Sequence, residues 1–220
     1  GTGKTALVGA MSRAIPEQER IVVIEDSSEL RLIQDHCLYL EAKHADMAGR
    51  GGLNVRELFR NSLRMRPDRI IVGEVRGGEA LDLIQSMISG HAGSMSTIHA
   101  ESPRDALIRL ETLSLMSGVE LPIYVARAQV ASAIHLAVQI ARFSEDGSRK
   151  ITRISEIRGL DESNQFRTCD LFVARLRGKG PDGRLLADLE PCGDKPTFAG
   201  EPYEQGLQDS IRLTGALWTK

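Results

Sequence analysis

Short apolar runs alternate with longer amphipathic segments over the first part of the chain. The runs at residues 20–25 (RIVVIE) and 69–73 (RIIVG) are continuous and β-branched, which is typical of parallel strands buried on both faces. Strands alternating with helices indicate a three-layer α/β core with a mainly parallel sheet. Shorter strands are predicted at residues 38–41 and 94–99, and helices at residues 4–14, 54–65, 77–89 and 102–117 and from about residue 122.

The helical segments carry their own boundary signals. Asn54 is predicted to cap the second helix, and Ser102, followed by Pro103 and Asp105, is predicted to cap the fourth. Gly118 is expected to end that fourth helix. The helical spacing predicts inward-facing side chains at Leu58, Phe59 and Leu63 in the second helix and at Leu81, Ile84 and Ile88 in the third.

Beyond residue 135 the hydrophobic pattern changes from helical to alternating. Residues 136–143 and 150–160 flank an Asp-Gly pair, and residues 171–177 and 185–190 flank a Pro-Asp-Gly turn. Turn residues between alternating segments predict β-hairpins, so we expect an antiparallel hairpin extension at the C-terminal side of the core. We expect one domain over residues 1–195 and a weakly structured tail over residues 196–220.

Composition narrows the function classes. The 220 residues are 41% hydrophobic and 26% charged with a net charge of −2, which lacks the polybasic signature of nucleic-acid binding, so no stable nucleic-acid partner is expected. No apolar run approaches the roughly 20 residues that cross a bilayer, so no transmembrane segment is expected. Cys37, Cys169 and Cys192 are too few and too widely spaced for a zinc site or a disulfide framework, and they favour a reducing compartment.

The first five residues, Gly1-Thr2-Gly3-Lys4-Thr5, form the second half of a phosphate-binding loop. Glycines let backbone N–H groups turn toward a phosphate, and the positive end of the following helix faces the same anion. Lys4 can then reach the β- and γ-phosphates of ATP, and Thr5 can offer its hydroxyl to Mg²⁺. The alternative is a chance turn. The complete pattern has an earlier glycine and a preceding strand, so we expect the sequence to begin within the motif.

Acidic residues end both buried strands. Glu74 follows the second strand, and Glu25 and Asp26 follow the first. Ligands bind at the carboxyl ends of strands in α/β sheets, where such carboxylates can hold Mg²⁺ or polarise an attacking water. Two alternatives remain: Glu74 can simply pair with Arg76 or Arg69, and Asp26 can simply begin a turn.

Histidines and arginines supply the remaining candidates. His91 and His99 flank the predicted strand at residues 94–99, where they could sense a γ-phosphate by hydrogen bonding, although a lone histidine is more often structural. Ring ATPases often supply an arginine across a subunit boundary to stabilise the charge on the phosphate during transfer. Arg64, Arg66 and Arg76 are the candidates for that role.

Four segments together resemble the secretion ATPase superfamily, which powers type II secretion, type IV pili and type IV secretion. They are the phosphate loop at residues 1–5, an aspartate box at 24–30 (IEDSSEL), an atypical Walker B at 66–78 (RPDRIIVGEVRGG) and a histidine box at 90–100 (GHAGSMSTIHA). Residues 60–110 and the hairpin near residues 170–191 look most like the CpaF branch, which assembles Flp-type pili. Two positions depart from the family pattern, Ala92 for Asp and Glu101 for Asn.

The resemblance implies a RecA-like P-loop NTPase core that binds ATP and Mg²⁺. It implies a cytoplasmic homo-hexamer that associates peripherally with the inner membrane through a platform protein and powers pilus assembly or protein secretion. It also implies site roles: Gly1, Thr2, Gly3, Lys4 and Thr5 bind nucleotide, Thr5 and Glu74 hold Mg²⁺, and the catalytic set is Glu74, Glu25, His99, His91 and Arg76.

Three other interpretations stay open. A conjugative type IV secretion ATPase would have the same chemistry in another machine. A truncated product could bind partners without turning over ATP, and nucleotide binding by the 220-residue chain would distinguish it. A RecA-type DNA motor is disfavoured by the histidine box. Reading the coding sequence upstream of Gly1 would narrow these alternatives most.

Overall fold

The computed structural model describes residues 1–47 and 49–204, which form two compact units. The first unit comprises residues 1, 3–134 and 162–164, and the second comprises residue 2, residues 135–161 and the described residues from 165 onward. An α/β fold with parallel strands and a separate antiparallel sheet is therefore present, as the hydrophobic pattern predicted.

The first unit is built on a four-stranded parallel sheet in the order β2-β1-β3-β4. The central pair, β1 and β3, aligns Ile21 with Arg69 and Ile24 with Val72. The strand bounds are β1 Ile21–Glu25, β2 Cys37–Glu41, β3 Arg69–Val72 and β4 Met95–Ser96.

The described residues of the first unit also form five α-helices. They are α1 Lys4–Met11, α2 Val55–Ser62, α3 Glu79–Ile88, α4 Pro103–Leu115 and α5 Ile123–Ala133, and short 3₁₀ turns extend α1 over Ser12–Ala14 and α2 over Leu63–Met65. The Asn54 side chain accepts a hydrogen bond from the Glu57 N–H, and the Glu57 carboxylate accepts one from the Asn54 N–H. Ser102 caps α4 through the Asp105 N–H, so both predicted caps are confirmed.

The core of the first unit surrounds β1 and β3. Every residue of β1 is buried, as are residues 70–72 of β3. One face of these strands packs in a cluster with Val8 of α1 and with Ile15 and Leu30. Burial on both faces explains why the two strands are continuous apolar runs without polar alternation.

Two predictions from the hydrophobic pattern were wrong. The strand predicted at residues 94–99 contains only Met95 and Ser96, because only Ile71 and Val72 of β3 pair with it. Leu63 and Ile88 are exposed, whereas Leu58, Phe59, Leu81 and Ile84 are buried. Leu63 begins the 3₁₀ turn and Ile88 is the last residue of α3, so the helical repeat extends past the packed part of each helix.

The second unit is a four-stranded antiparallel sheet in the order β5-β6-β7-β8. Its strands are β5 Leu136–Arg142, β6 Arg149–Leu160, β7 Phe166–Lys179 and β8 Leu185–Pro191. Both predicted hairpins are confirmed, with Asp146-Gly147 between β5 and β6 and residues 181–183 between β7 and β8.

One buried carboxylate stands out in the second unit. Glu156 of β6 is 1% exposed and accepts hydrogen bonds from Arg158 Nε (2.8 Å) and from the Thr197 N–H (2.7 Å) and hydroxyl. These bonds attach the segment after β8 to the sheet. That segment ends with a 3₁₀ turn at Thr197–Gly200 and the short helix α6 Glu201–Glu204; residues 205–220 of the predicted weakly structured tail lie outside the described residues.

Across the described residues, no helix has the length and apolarity that crossing a lipid bilayer requires.

Candidate functional site

Polar side chains collect at the carboxyl ends of the parallel strands in the first unit. Glu25 is the last residue of β1, Glu74 lies two residues after β3, and His99 lies three residues after β4. Because these strands are parallel, their carboxyl ends meet at one edge of the sheet. Lys4, the first residue of α1, reaches the same edge through its contact with His99.

Lys4 lies directly after a backbone conformation that favours glycine. Gly3 has a φ of 94°, in the left-handed region, and immediately precedes α1. No side chain caps α1, and its first turn has no acidic residue, so its N–H groups and the Lys4 ammonium are suited to an anion. The Lys4 Nζ lies 3.2 Å from Nδ1 and 3.3 Å from Nε2 of His99.

His99 joins the lysine to the Glu74 carboxylate. Its Nε2 lies 2.9 Å from Glu74 Oε1. With a hydrogen assigned to Nε2, Nε2–H donates to Glu74 and Nδ1 can accept from Lys4. The imidazole therefore lies between a positive and a negative side chain.

The other oxygen of Glu74 binds an arginine. Arg76 donates to Oε2 from Nε (2.9 Å) and Nη2 (2.6 Å), and its Nη1 lies 3.7 Å from Asp26 Oδ2. The hydrogen bonds from Arg76 to Glu74 raise the pKa of the guanidinium above its ordinary value. The alternative pairing with Arg69 does not form, because Arg69 binds Glu19.

A continuous polar chain thus runs from Lys4 through His99, Glu74 and Arg76 to Asp26. These five residues come from four places in the sequence and are brought together by the parallel sheet. We call them the polar chain below. It combines cations that suit phosphate with carboxylates that suit a divalent metal or a water molecule.

Glu25 ends β1, as its sequence context indicated, but its carboxylate binds backbone N–H groups of the following loop. Both of its oxygens accept hydrogen bonds from the N–H groups of Glu29 and Leu30, at 3.1–3.2 Å, and the residue is 5% exposed. A Cβ at Gly73 would lie 2.8 Å from Glu25 Cγ, so the carboxylate stem packs against β3 where only glycine leaves room. In this structure Glu25 holds the loop after β1, whereas the next residue, Asp26, belongs to the polar chain through Arg76.

Thr97 aligns the two strand ends that carry Glu74 and His99. Its hydroxyl donates to the Gly73 carbonyl at 2.6 Å, and its carbonyl accepts from the Val75 N–H at 2.9 Å. Sequence reasoning missed this residue. Its position two residues before His99, in the strand-end segment, is the only signal that could have indicated it.

Glu79 was also missed. Its Oε1 accepts from the N–H groups of Arg76 (2.7 Å) and Gly77 (2.8 Å), within the turn between β3 and α3. Gly78, the next residue, packs so closely that an added Cβ would lie 2.7 Å from Ser117 Cα. An acidic residue in the first turn of a helix after two glycines was the available signal.

Several predicted residues lie outside the polar chain. His91 lies four residues before β4, on the amino side of the strand that His99 follows, and its Nδ1 is buried without a hydrogen-bond partner. Arg64 and Arg66 precede β3, and so lie at the amino edge of the sheet. Gly1 precedes α1, and Thr5 is the second residue of that helix. Thr2 is assigned to the second compact unit.

The residues present fit a nucleotide phosphate and Mg²⁺. The uncapped start of α1, with Gly3 and Lys4, offers donors for an anion. The Thr5 hydroxyl and the Glu74 carboxylate are hard oxygen ligands of the kind that Mg²⁺ prefers. Within the part of the chain that the structure describes, no three His, Cys, Asp or Glu side chains lie together in a group that could hold a metal ion.

Residues 1–179 match the family model described as type II/IV secretion system protein. The chain belongs to this family. Among solved structures, this secretion-family chain is similar to the VirB11 ATPase of the Brucella suis type IV secretion system, determined in complex with sulphate. The two are 33% identical with a TM-score of 0.62, over 70% of this chain and 45% of that one.

The secretion-family chain is also similar in sequence to two curated relatives. It is 40% identical to a putative conjugal transfer protein of Mycobacterium tuberculosis over 189 residues, which are 86% of this chain and 52% of the relative. It is 43% identical to the type IV secretion system protein PtlH of Bordetella pertussis over 157 residues, 68% of this chain and 45% of PtlH. The chain thus spans about half the length of the curated relatives it matches.

Proposed function

We propose that this protein hydrolyses ATP as part of a homo-hexameric cytoplasmic motor that powers pilus assembly or protein secretion across the bacterial inner membrane. The observation that carries this proposal is the contact of Lys4, at the start of α1, with Glu74 through His99. A lysine at a helix start and a strand-end carboxylate that contact the same imidazole suit a γ-phosphate bound near all three side chains. The similarity to the Brucella VirB11 ATPase supports the same chemistry.

Four residues of the polar chain, Lys4, Glu74, His99 and Arg76, have a role in the proposed reaction. The N–H groups at residues 1–5 and the Lys4 ammonium bind the β- and γ-phosphates. Glu74 orients the attacking water, His99 hydrogen-bonds near the γ-phosphate, and Arg76 offsets charge on it. Thr5 and Glu74 would hold Mg²⁺, which when bound would neutralise charge on the phosphates.

Two roles are revised by the geometry. Glu74 binds Arg76 with one oxygen and His99 with the other, so it must exchange a partner before it can hold water. Glu25 is saturated by two backbone N–H groups, so we assign it the shape of the loop that presents Asp26. Arg64 and Arg66 lie at the opposite edge of the sheet and could serve only the site of another subunit.

The architecture supports a RecA-like P-loop NTPase core of three layers. Its two central parallel strands are buried at β1 and at residues 70–72 of β3, and its polar chain lies at the carboxyl ends of the strands. We propose residues 1–195 as the catalytic domain, in which the antiparallel sheet is the hairpin extension.

The cellular machine has two candidates. Residues 60–110 and the hairpin formed by β7 and β8 support a CpaF-type ATPase of Flp pilus assembly, which associates peripherally with an inner-membrane platform protein. The similarity to a putative conjugal transfer protein and to PtlH favours a type IV secretion ATPase. Neighbouring genes decide between them: prepilin and prepilin peptidase genes support the first, and relaxase and coupling-protein genes the second.

The ATPase proposal is tested with Lys4→Ala in protein expressed from the complete reading frame that encodes these residues. The unchanged protein should hydrolyse ATP with Mg²⁺ and stop when EDTA removes the metal. Lys4→Ala should lower the rate by about 10²-fold or more, because it removes a positive charge that stabilises the transferred phosphate.

Lys43→Ala is the matched control, since Lys43 is an exposed lysine outside the polar chain. It should leave the rate unchanged. Near-normal turnover by Lys4→Ala, or no turnover by the unchanged protein, would refute the proposal.

A further inference from the structure

The turn between β3 and α3 carries both Glu74 and Arg76, and the side chain of Glu79 holds its backbone. One oxygen, Oε1, accepts from the N–H of Arg76 at 2.7 Å and from the N–H of Gly77 at 2.8 Å. Gly78 provides no side-chain cap for α3. Glu79, the first residue of that helix, therefore turns back and satisfies donors that precede it.

The local sequence leaves room for this arrangement. A Cβ at Gly77 would lie 3.0 Å from Glu79 Oε2, so glycine lets the carboxylate approach the backbone closely. On the other side of the turn, the Val75 N–H donates to the Thr97 carbonyl at 2.9 Å. The backbone of residues 75–77 is thus fixed by bonds on both sides of Arg76.

Fixing this backbone also fixes the carboxylate of Glu74. Arg76 binds Glu74 Oε2 through two nitrogens, so the direction of the Glu74 carboxylate depends on where the Arg76 backbone lies. Without the Glu79 side chain, two N–H groups would lose their acceptor and the turn could relax. A misplacement of about 1 Å can reduce a reaction rate by about 10²-fold.

We propose that Glu79 is a positioning residue that sets Glu74 and Arg76 for the reaction without touching the substrate. The inference rests on the ATPase function proposed above. It assigns to Glu79 a contribution to kcat, through the turn, that is separate from its contribution to helix stability.

The chain offers a matched control for the helix contribution. Glu57 lies in the first turn of α2 and accepts from the Asn54 N–H at 2.9 Å. Like Glu79, it is a first-turn glutamate that binds a preceding backbone N–H. The backbone that Glu57 holds carries none of the polar chain, so replacing it reports the loss of a cap alone.

The experiment compares Glu79→Ala, Glu79→Gln and Glu57→Ala in the protein from the complete reading frame. We expect Glu79→Ala to lower kcat by about 10- to 100-fold with little change in KM for ATP. Glu79→Gln should recover most of the rate, because one amide oxygen can accept both bonds now made to Oε1. Glu57→Ala should keep the wild-type kcat. Equal kcat values for the two alanine variants, or no rescue by glutamine, would overturn the inference.

Amide hydrogen exchange gives a readout that does not need activity. The N–H groups of Arg76 and Gly77 should exchange faster in Glu79→Ala than in the wild type or in Glu79→Gln. Unchanged exchange at both amides would overturn the inference even if the rate fell. If the wild-type protein hydrolyses no ATP, the proposed function fails alone, while exchange still decides whether Glu79 holds the turn.

Discussion

The parallel and antiparallel sheets differ in where their charged side chains lie. In the parallel sheet, β1 and residues 70–72 of β3 are wholly buried, and charged side chains gather beyond the strand ends. In the antiparallel sheet, charges lie along the strands: Arg153 pairs with Asp170, and Arg177 pairs with Asp188 and Glu190.

The difference follows from how each sheet is covered. A parallel sheet with both faces buried cannot hold charges along its strands, so they collect where the strands end and the helices begin. An antiparallel sheet with partly exposed strands can pair opposite charges across neighbours. Charges at one edge can converge on a single ligand, whereas charges spread along strands serve mainly stability and solubility.

Among the substitutions that test this difference between the two sheets, Glu74→Gln should have the largest effect. It should lower ATP hydrolysis by about 10²- to 10⁴-fold, because the amide can neither polarise water nor balance the charge of Mg²⁺. Nucleotide binding, measured by isothermal titration calorimetry, should persist. The control is Glu190→Gln in β8, which should keep the wild-type rate; equal losses in the two variants would contradict the division of roles.

Ile71→Ala should give the next largest effect. Ile71 of β3 is 0% exposed, so the cavity should cost about 2–5 kcal/mol in the free energy of unfolding. Leu176→Ala in β7, where the leucine is 56% exposed, should change stability by no more than about 0.5 kcal/mol. Urea denaturation of both variants checks this, and similar costs would show that the two sheets are not buried differently.

Arg158→Ala should give a smaller effect, about 3 kcal/mol, because Glu156 would remain buried without its cation while Thr197 still binds it. Arg177→Ala, which removes the two exposed ion pairs with Asp188 and Glu190, should cost much less. Denaturation curves of both variants at pH 7 test this order. If Arg158→Ala destabilises the protein no more than Arg177→Ala does, the buried pair of Arg158 and Glu156 contributes little.

The stability that the hydrogen bonds of Glu156 contribute depends on pH in a direction that follows from its pKa. Desolvation, the largest single effect, raises the pKa of Glu156, but hydrogen bonds from Thr197 and Arg158 outweigh it and leave the pKa below 4.5. The stability contributed by these bonds is therefore fully present above about pH 4.5 and lost as the pH falls through the folded-state pKa. The destabilisation caused by Arg158→Ala should thus shrink in acid.

Much of the fold could be predicted because the relevant signals are local. The run at residues 21–24 needs no partner to indicate a buried strand, and Asp146-Gly147 indicates its own turn. The caps at Asn54 and Ser102 depend on residues only three positions away. The length of β4 could not be predicted, because it depends on how far β3 extends beside it.

The sequence indicated some members of the candidate site but not their contacts. Strand-end position indicated Glu74, His99 and Asp26, which the structure brings together, and also His91, which lies outside the polar chain. The saturation of Glu25 by backbone N–H groups depends on the path of the loop after β1, which no local spacing encodes. Glu79 was missed for the same reason, because its partners are backbone atoms.

The close approach at Gly78 has a mechanical consequence. Its φ of −65° is open to any residue, so space alone requires glycine, and even alanine would collide with the main chain at Ser117. Two backbones in hard contact leave no compressible layer of side chains between them. A force that displaces the segment after α4 would therefore move the start of α3 with it.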